Sequence, residues 1–156
     1  MRNMFLLAFA GLCLAIALVL AWVLGITLFY PDSYLAGFIV NRSYFIKAHI
    51  DFLMMAQFLF IFGLLFRQFL IEPPIWVVGA ICYGAFFNPL GFLKVALQPK
   101  PVIVAPVEAH FPPMALISFS MTTIGFSAAV VLVARAAWKK SRARSARLDT
   151  LTPGVE

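Results

Sequence analysis

The chain has 156 residues, of which 63% are hydrophobic and 12% charged, with a formal net charge of +6. Soluble domains sit nearer half apolar and a quarter charged, so this composition, with a mean hydropathy of +0.99, marks an integral membrane protein. The length admits one domain of a few helices and no separate catalytic module, and the positive charge gathers in the C-terminal stretch, where it reports topology and not nucleic-acid binding.

Four apolar stretches are long enough to cross roughly 30 Å of hydrocarbon, which takes about 20 helical residues. The first runs from about Met4 to Tyr30, too long for the apolar core of a signal peptide, and reads as a retained helix. Pro31-Asp32-Ser33 ends it, since these residues favour turns. The second runs from about Tyr44 to Leu70 and stops before Glu72-Pro73-Pro74. The third spans about Ile75–Leu97, closed by Gln98-Pro99-Lys100-Pro101, and the fourth about Pro113–Trp138. The fold class is therefore all-α, a four-helix transmembrane bundle over residues 1–138. Residues 139–156 are expected to form a solvated, partly disordered basic tail.

Lysine and arginine set the orientation. The basic residues from Arg135 to Arg147 place the C-terminus in the cytoplasm, and four spans return the N-terminus, with Arg2, to the same side. Arg67, beside the short turn between the second and third spans, agrees with this. The longer connections, Pro31–Ser43 and Gln98–Pro112, then face the opposite side.

Two lone cysteines, Cys13 and Cys82, without a CxxC, exclude a thiol–disulfide oxidoreductase of the four-helix membrane type and argue against a zinc site. Two histidines, His49 and His110, are too few for a pair of bis-histidine haems. Glu108 and His110, in the proline-rich last connection, read as a solvated pair, with a second ligand or a gate as the sharper alternative.

The second span opens with "KAHIDFLMM", placing Lys47, His49 and Asp51 at the edge of an apolar run. At about 100° per residue Lys47 and Asp51 share a face, and the i,i+4 spacing predicts that they neutralise each other. His49 points the opposite way, above Phe52, Leu53, Ala56 and Phe60. A basic side chain over a small and aromatic stripe suits an axial haem ligand, and Ala56 leaves room for a flat macrocycle. The alternative is a histidine hydrogen-bonded at its helix end.

In the third span Pro89 cannot donate to the carbonyl of Ala85, which predicts a kink or opening. Asn88 beside it either lines a cavity or satisfies the freed backbone. Tyr83 and Lys94 lie near one another on a different face, Lys94 close enough to the end to snorkel. Gly79 and Gly84 allow close helix approach. Ser118, Ser120, Thr122, Thr123 and Ser127 in the fourth span are expected to bond to backbone or to a neighbouring helix.

This order of residues resembles the membrane-bound styrene oxide isomerases, small bacterial proteins of four transmembrane helices. The likeness rests on Lys47-Ala48-His49 opening the second helix and on Asn88 followed by Gly91-Phe92 in the third. A proline-containing polar connection and a fourth helix ending in a basic tail, Trp138–Arg147, complete it. It covers most of the chain, and Ala48-His49 is its specific element. Met55 stands where the family has an asparagine, Leu93 where it has a tyrosine, and Tyr83 only loosely near its helix-three aspartate.

The resemblance implies a homotrimer in the bacterial inner membrane, with haem b bound between subunits and its iron ligated by His49. Phe52, Leu53 and Ala56 would lie against the macrocycle, and Asn88 and Tyr83 would be the catalytic candidates. Ferric haem would act as a Lewis acid, converting a small aryl epoxide into an aldehyde. A reading from another class is a non-enzymatic membrane protein, either a haem or quinone binder or an accessory subunit. A transporter using Lys47 and Asp51 as an ion relay is a third.

Overall fold

The computed structural model describes residues 1–99 and 112–151, with side chains described as far as Ser145. They form five helices and, among the described residues, no strand: α1 (Arg2–Phe29), α2 (Tyr34–Phe38), α3 (Arg42–Gln68), α4 (Ile75–Leu97) and α5 (Pro113–Leu151). All but α2 are long and apolar enough to cross a membrane. In hydrocarbon every backbone donor and acceptor must be met within the segment, which a helix does and a lone strand does not.

Helices α1, α3 and α4 pack on one another, and α5 lies against α4 with only slight contact to α3. The core between them holds Leu6, Cys13, Phe52, Leu59, Phe66, Val77 and Ile81. At one end, the start of α1 is pinned to the α3–α4 turn. Arg2 donates to the carbonyl of Pro73 at 2.9 Å and Asn3 to that of Ile71 at 3.1 Å. Arg2 also pairs with Glu72 at 3.1 Å, but both side chains are exposed, so that pair contributes under about 1 kcal/mol.

The turn itself closes α3 with two reversed hydrogen bonds, Ile71 N–H to Phe66 at 2.8 Å and Leu70 N–H to Arg67 at 3.3 Å. This arrangement needs a left-handed residue just past the helix, usually glycine; here Leu70 takes it with φ 55°. Lys140 of α5 sits over the Phe69 ring, 5.5 Å from its centroid, so α5 ends near the same turn. At the far end, Asn41 N–H donates to the carbonyl of Ala96 at 3.0 Å, tying the start of α3 to the end of α4.

Two details differ from the expectations. The connection after α1 contains the short helix α2, whose first turn is capped by the Ser33 hydroxyl accepting from Ala36 N–H at 3.4 Å. Helix α5 does not stop at Trp138 but continues to Leu151, so residues 139–151 are helical, not a disordered tail. Alanine, lysine, arginine and leucine dominate there and are strong helix formers, and Arg142 lies over the Trp138 ring. Helix α4 runs unbroken through Pro89.

The α4–α5 seam depends on two missing side chains. A Cβ on Gly84 would lie 2.7 Å from the Thr122 backbone, and one on Gly125 would lie 2.8 Å from the Ile81 nitrogen. Gly79, by contrast, faces open space, so of the two glycines singled out in the sequence only Gly84 permits close approach. Gly84→Val should therefore separate α4 from α5 and cost about 1–3 kcal/mol, the usual penalty of overpacking. Gly79→Val should cost far less. Thermal unfolding of both variants in the same detergent measures the difference, and equal losses would disprove the close contact.

Candidate functional site

The polar group deepest in the α3–α4 interface is Asp51, buried and accepting a hydrogen bond from Asn88 Nδ2 at 2.6 Å. The expected Lys47–Asp51 pair does not form. Among the described residues the one ion pair is Arg2–Glu72. Lys47 is exposed, and its ammonium lies 4.9 Å from the centroid of the Tyr44 ring. The reason is directional: Asp51 is short and faces α4, whereas the long lysine stem carries its charge outward toward the membrane boundary.

His49 lies on another side of α3. Its Nδ1 is 2.9 Å from the carbonyl oxygen of Ala17 on α1, and the residue is half-buried. A carbonyl only accepts, so Nδ1 carries the proton, and in the neutral ring Nε2 is left with a free lone pair. Metal-ligating histidines are oriented in this way, by donating the far ring N–H to a backbone carbonyl or carboxylate. Among the described residues no cluster of three or more histidine, cysteine or acidic side chains could hold a metal ion.

The stripe beside His49 is packed. Phe52 and Ala56 are each 1% exposed, and the Phe52 ring meets that of Phe86 on α4 edge-on at 6.2 Å. Leu53 is half-buried against the same core. Within one chain Phe52 and Ala56 thus have no free face for a macrocycle. A shallow groove of about 400 Å³ runs along α1, lined by Leu18, Ala21, Trp22, Gly25, Ile26, Phe29 and Tyr30. It begins within a turn of Ala17, the residue that holds His49. The groove is lined by α1 alone, and His49 does not line it.

Asn88 and Tyr83 are not brought together. The Tyr83 ring lies tilted against Phe87 with centroids 4.5 Å apart. Asn88 lines a separate cavity of about 460 Å³ between α4 and α5, which Tyr83 does not reach. The hydroxyls of α5 divide as well. Thr122 donates to the carbonyl of Ser118 at 2.8 Å, the expected bond back to the helix. The Ser118 hydroxyl is buried in the cavity wall and, among the described residues, has no partner. Nothing in the sequence separates Ser118 from its neighbours. Nor could it reveal the Ala17 carbonyl, since every helical residue has one. Glu108 and His110 lie outside the described residues. Comparison with family models, with curated proteins and with solved structures finds no match, so the functional argument rests on these side chains.

The Asp51–Asn88 bond generates a stability prediction. Asn88→Leu leaves a carboxyl group in apolar surroundings and should cost about 1–3 kcal/mol. Asp51→Asn keeps a donor–acceptor pair and should cost less than half of that. Denaturant unfolding in mixed micelles gives the ranking, and the reverse order would show that Asp51 has another partner.

Proposed function

We propose that this chain is a haem b-binding, multi-pass membrane protein in which His49 is the iron ligand, acting as an epoxide isomerase of the styrene oxide isomerase type. The observation that carries the reading is the 2.9 Å contact of His49 Nδ1 with the Ala17 carbonyl, which leaves Nε2 as a fixed and basic ligand atom. Haem, when bound, supplies a ferric Lewis acid able to polarise an epoxide oxygen. The chain holds the imidazole in one tautomer through Ala17 and fixes the rotation of α3 through Asp51 and Asn88. The homotrimer belongs to the same proposal: Phe52 and Ala56 have no free face within one chain, so a haem on His49 would be covered by a second copy.

Protein purified in detergent from haem-replete cells should be red, with a Soret band. His49→Ala should remove at least nine-tenths of that band, while His110→Ala keeps it. A His49→Gly variant should regain haem on addition of imidazole, a rescue that a merely structural histidine would not show. Colourless wild-type protein, or equal loss in both alanine variants, would overturn the assignment.

The bacterial inner membrane, with both termini in the cytoplasm, is the location proposed with this reading. The start of α1 and the end of α5 share one end of the bundle with the α3–α4 turn, and basic residues collect at that end. A reporter fused after Glu156 should be active only in its cytoplasmic form. Activity of a periplasm-dependent reporter would reverse the orientation.

A further inference from the structure

We infer that the corner between the α3–α4 turn and the outer part of α5 is a binding site for the headgroup of an anionic phospholipid. The inference rests neither on His49 nor on bound haem.

Packing brings the basic residues to this corner. Ile81 against Gly125 and Gly84 against Thr122 set an antiparallel register in which α4, starting at Ile75, begins opposite about Val131. Helix α5 therefore runs past the start of α4, and what it meets there is the turn. Lys140 Nζ stands 5.5 Å from the centroid of the Phe69 ring. At 100° per residue, the face of α5 that carries the buried Gly125 and Ala129 also carries Ala136, Lys140 and Arg144. The same face is small and apolar where α4 covers it and basic where α4 does not.

Arg67, in the last turn of α3, lies two residues before Phe69. Lys140, Arg144 and Arg67 are all exposed, and among the described residues none has an acidic partner. Glu72, the one described acid at this end, is taken by Arg2.

The setting selects a lipid phosphate as the anion. Trp138 and Trp76, both more than half exposed, mark this end as the membrane–water interface, where indole rings settle. Phosphate oxygens there accept from the ammonium and guanidinium groups, while the glycerol lies against Phe69 and the acyl chains along the thinly covered α5. An acidic peptide would meet the same charges but make no use of the apolar flank beneath them.

The test uses the full chain in a neutral detergent, with bound short-chain lipid counted by native mass spectrometry across a titration. Dioctanoyl-phosphatidylglycerol should bind about 25-fold more tightly than dioctanoyl-phosphatidylcholine, about five-fold for each of two engaged basic side chains. Lys140→Gln should lower this preference about five-fold, and adding Arg144→Gln should erase it. Lys140→Arg should keep it. Glutamine is a good helix former, so these variants keep α5. Lys94→Gln removes the same charge at the other end of the bundle and should leave the preference unchanged; a fall there would show an effect of net charge and overturn the site. Inorganic phosphate at the lipid's concentration should displace nothing. Displacement by it, or by hexaglutamate, would identify a soluble-anion or acidic-peptide site and overturn the lipid assignment. Equal binding of the two lipids, or a preference surviving in the double variant, would overturn it as well.

Discussion

The hydrogen bond from Asn88 to Asp51 fixes the arrangement on which the His49 site depends. Between helices in lipid there is little hydrophobic driving force, because acyl chains are as apolar as leucine, so packing and buried polar contacts decide orientation. A carboxyl group at that depth is costly without a partner, which makes one rotation of α3 preferable to the others. With Asp51 turned toward α4, residue 49 points about 200° away at 100° per residue. That direction is α1, where the Ala17 carbonyl waits. Turning α3 by a single residue step would break both contacts together.

The cavity has a cause of its own in the same seam. Where Gly84 meets Thr122 and Gly125 meets Ile81, the backbones of α4 and α5 touch. Further along, the facing positions carry Phe87, Phe92 and Phe119, which cannot interdigitate as closely. Helix α5 also leans mainly on α4, with Phe126 reaching Phe58 and Phe62 of α3, and only 17% of its most apolar window is buried.

The spans were legible because the hydrocarbon thickness imposes one length and one composition on each. The third span, Ile75–Leu97, coincides with α4, and the second is displaced from α3 by two residues at each end. Prolines and a polar turn mark those limits directly. Side-chain pairing was not legible in the same way. The i,i+4 spacing of Lys47 and Asp51 describes one helix in isolation and carries no information about Asn88 on the next. Gly125, one of several scattered single glycines, carries no sequence signal that sets it apart, although it packs as closely as Gly84. The helical course of residues 139–151 was hidden by treating charge as a sign of disorder, when alanine and arginine favour helix.

The three ionisable groups within Lys47–Asp51 show how one membrane helix carries such a cluster without an ion pair. Each avoids the cost of desolvation by a different route. Lys47 leaves the interior by its own length and settles over an aromatic ring at the edge. Asp51 stays inside and takes a neutral amide as its partner, which supplies a donor without a second charge to bury. His49 gives one proton to a backbone carbonyl already engaged in a helix, and so keeps its second nitrogen uncommitted. A pair of mutually neutralising charges would have removed any reason for the helix to keep one rotation. Because the charges are settled separately, the direction of α3 is fixed and a single ring nitrogen is left available for chemistry.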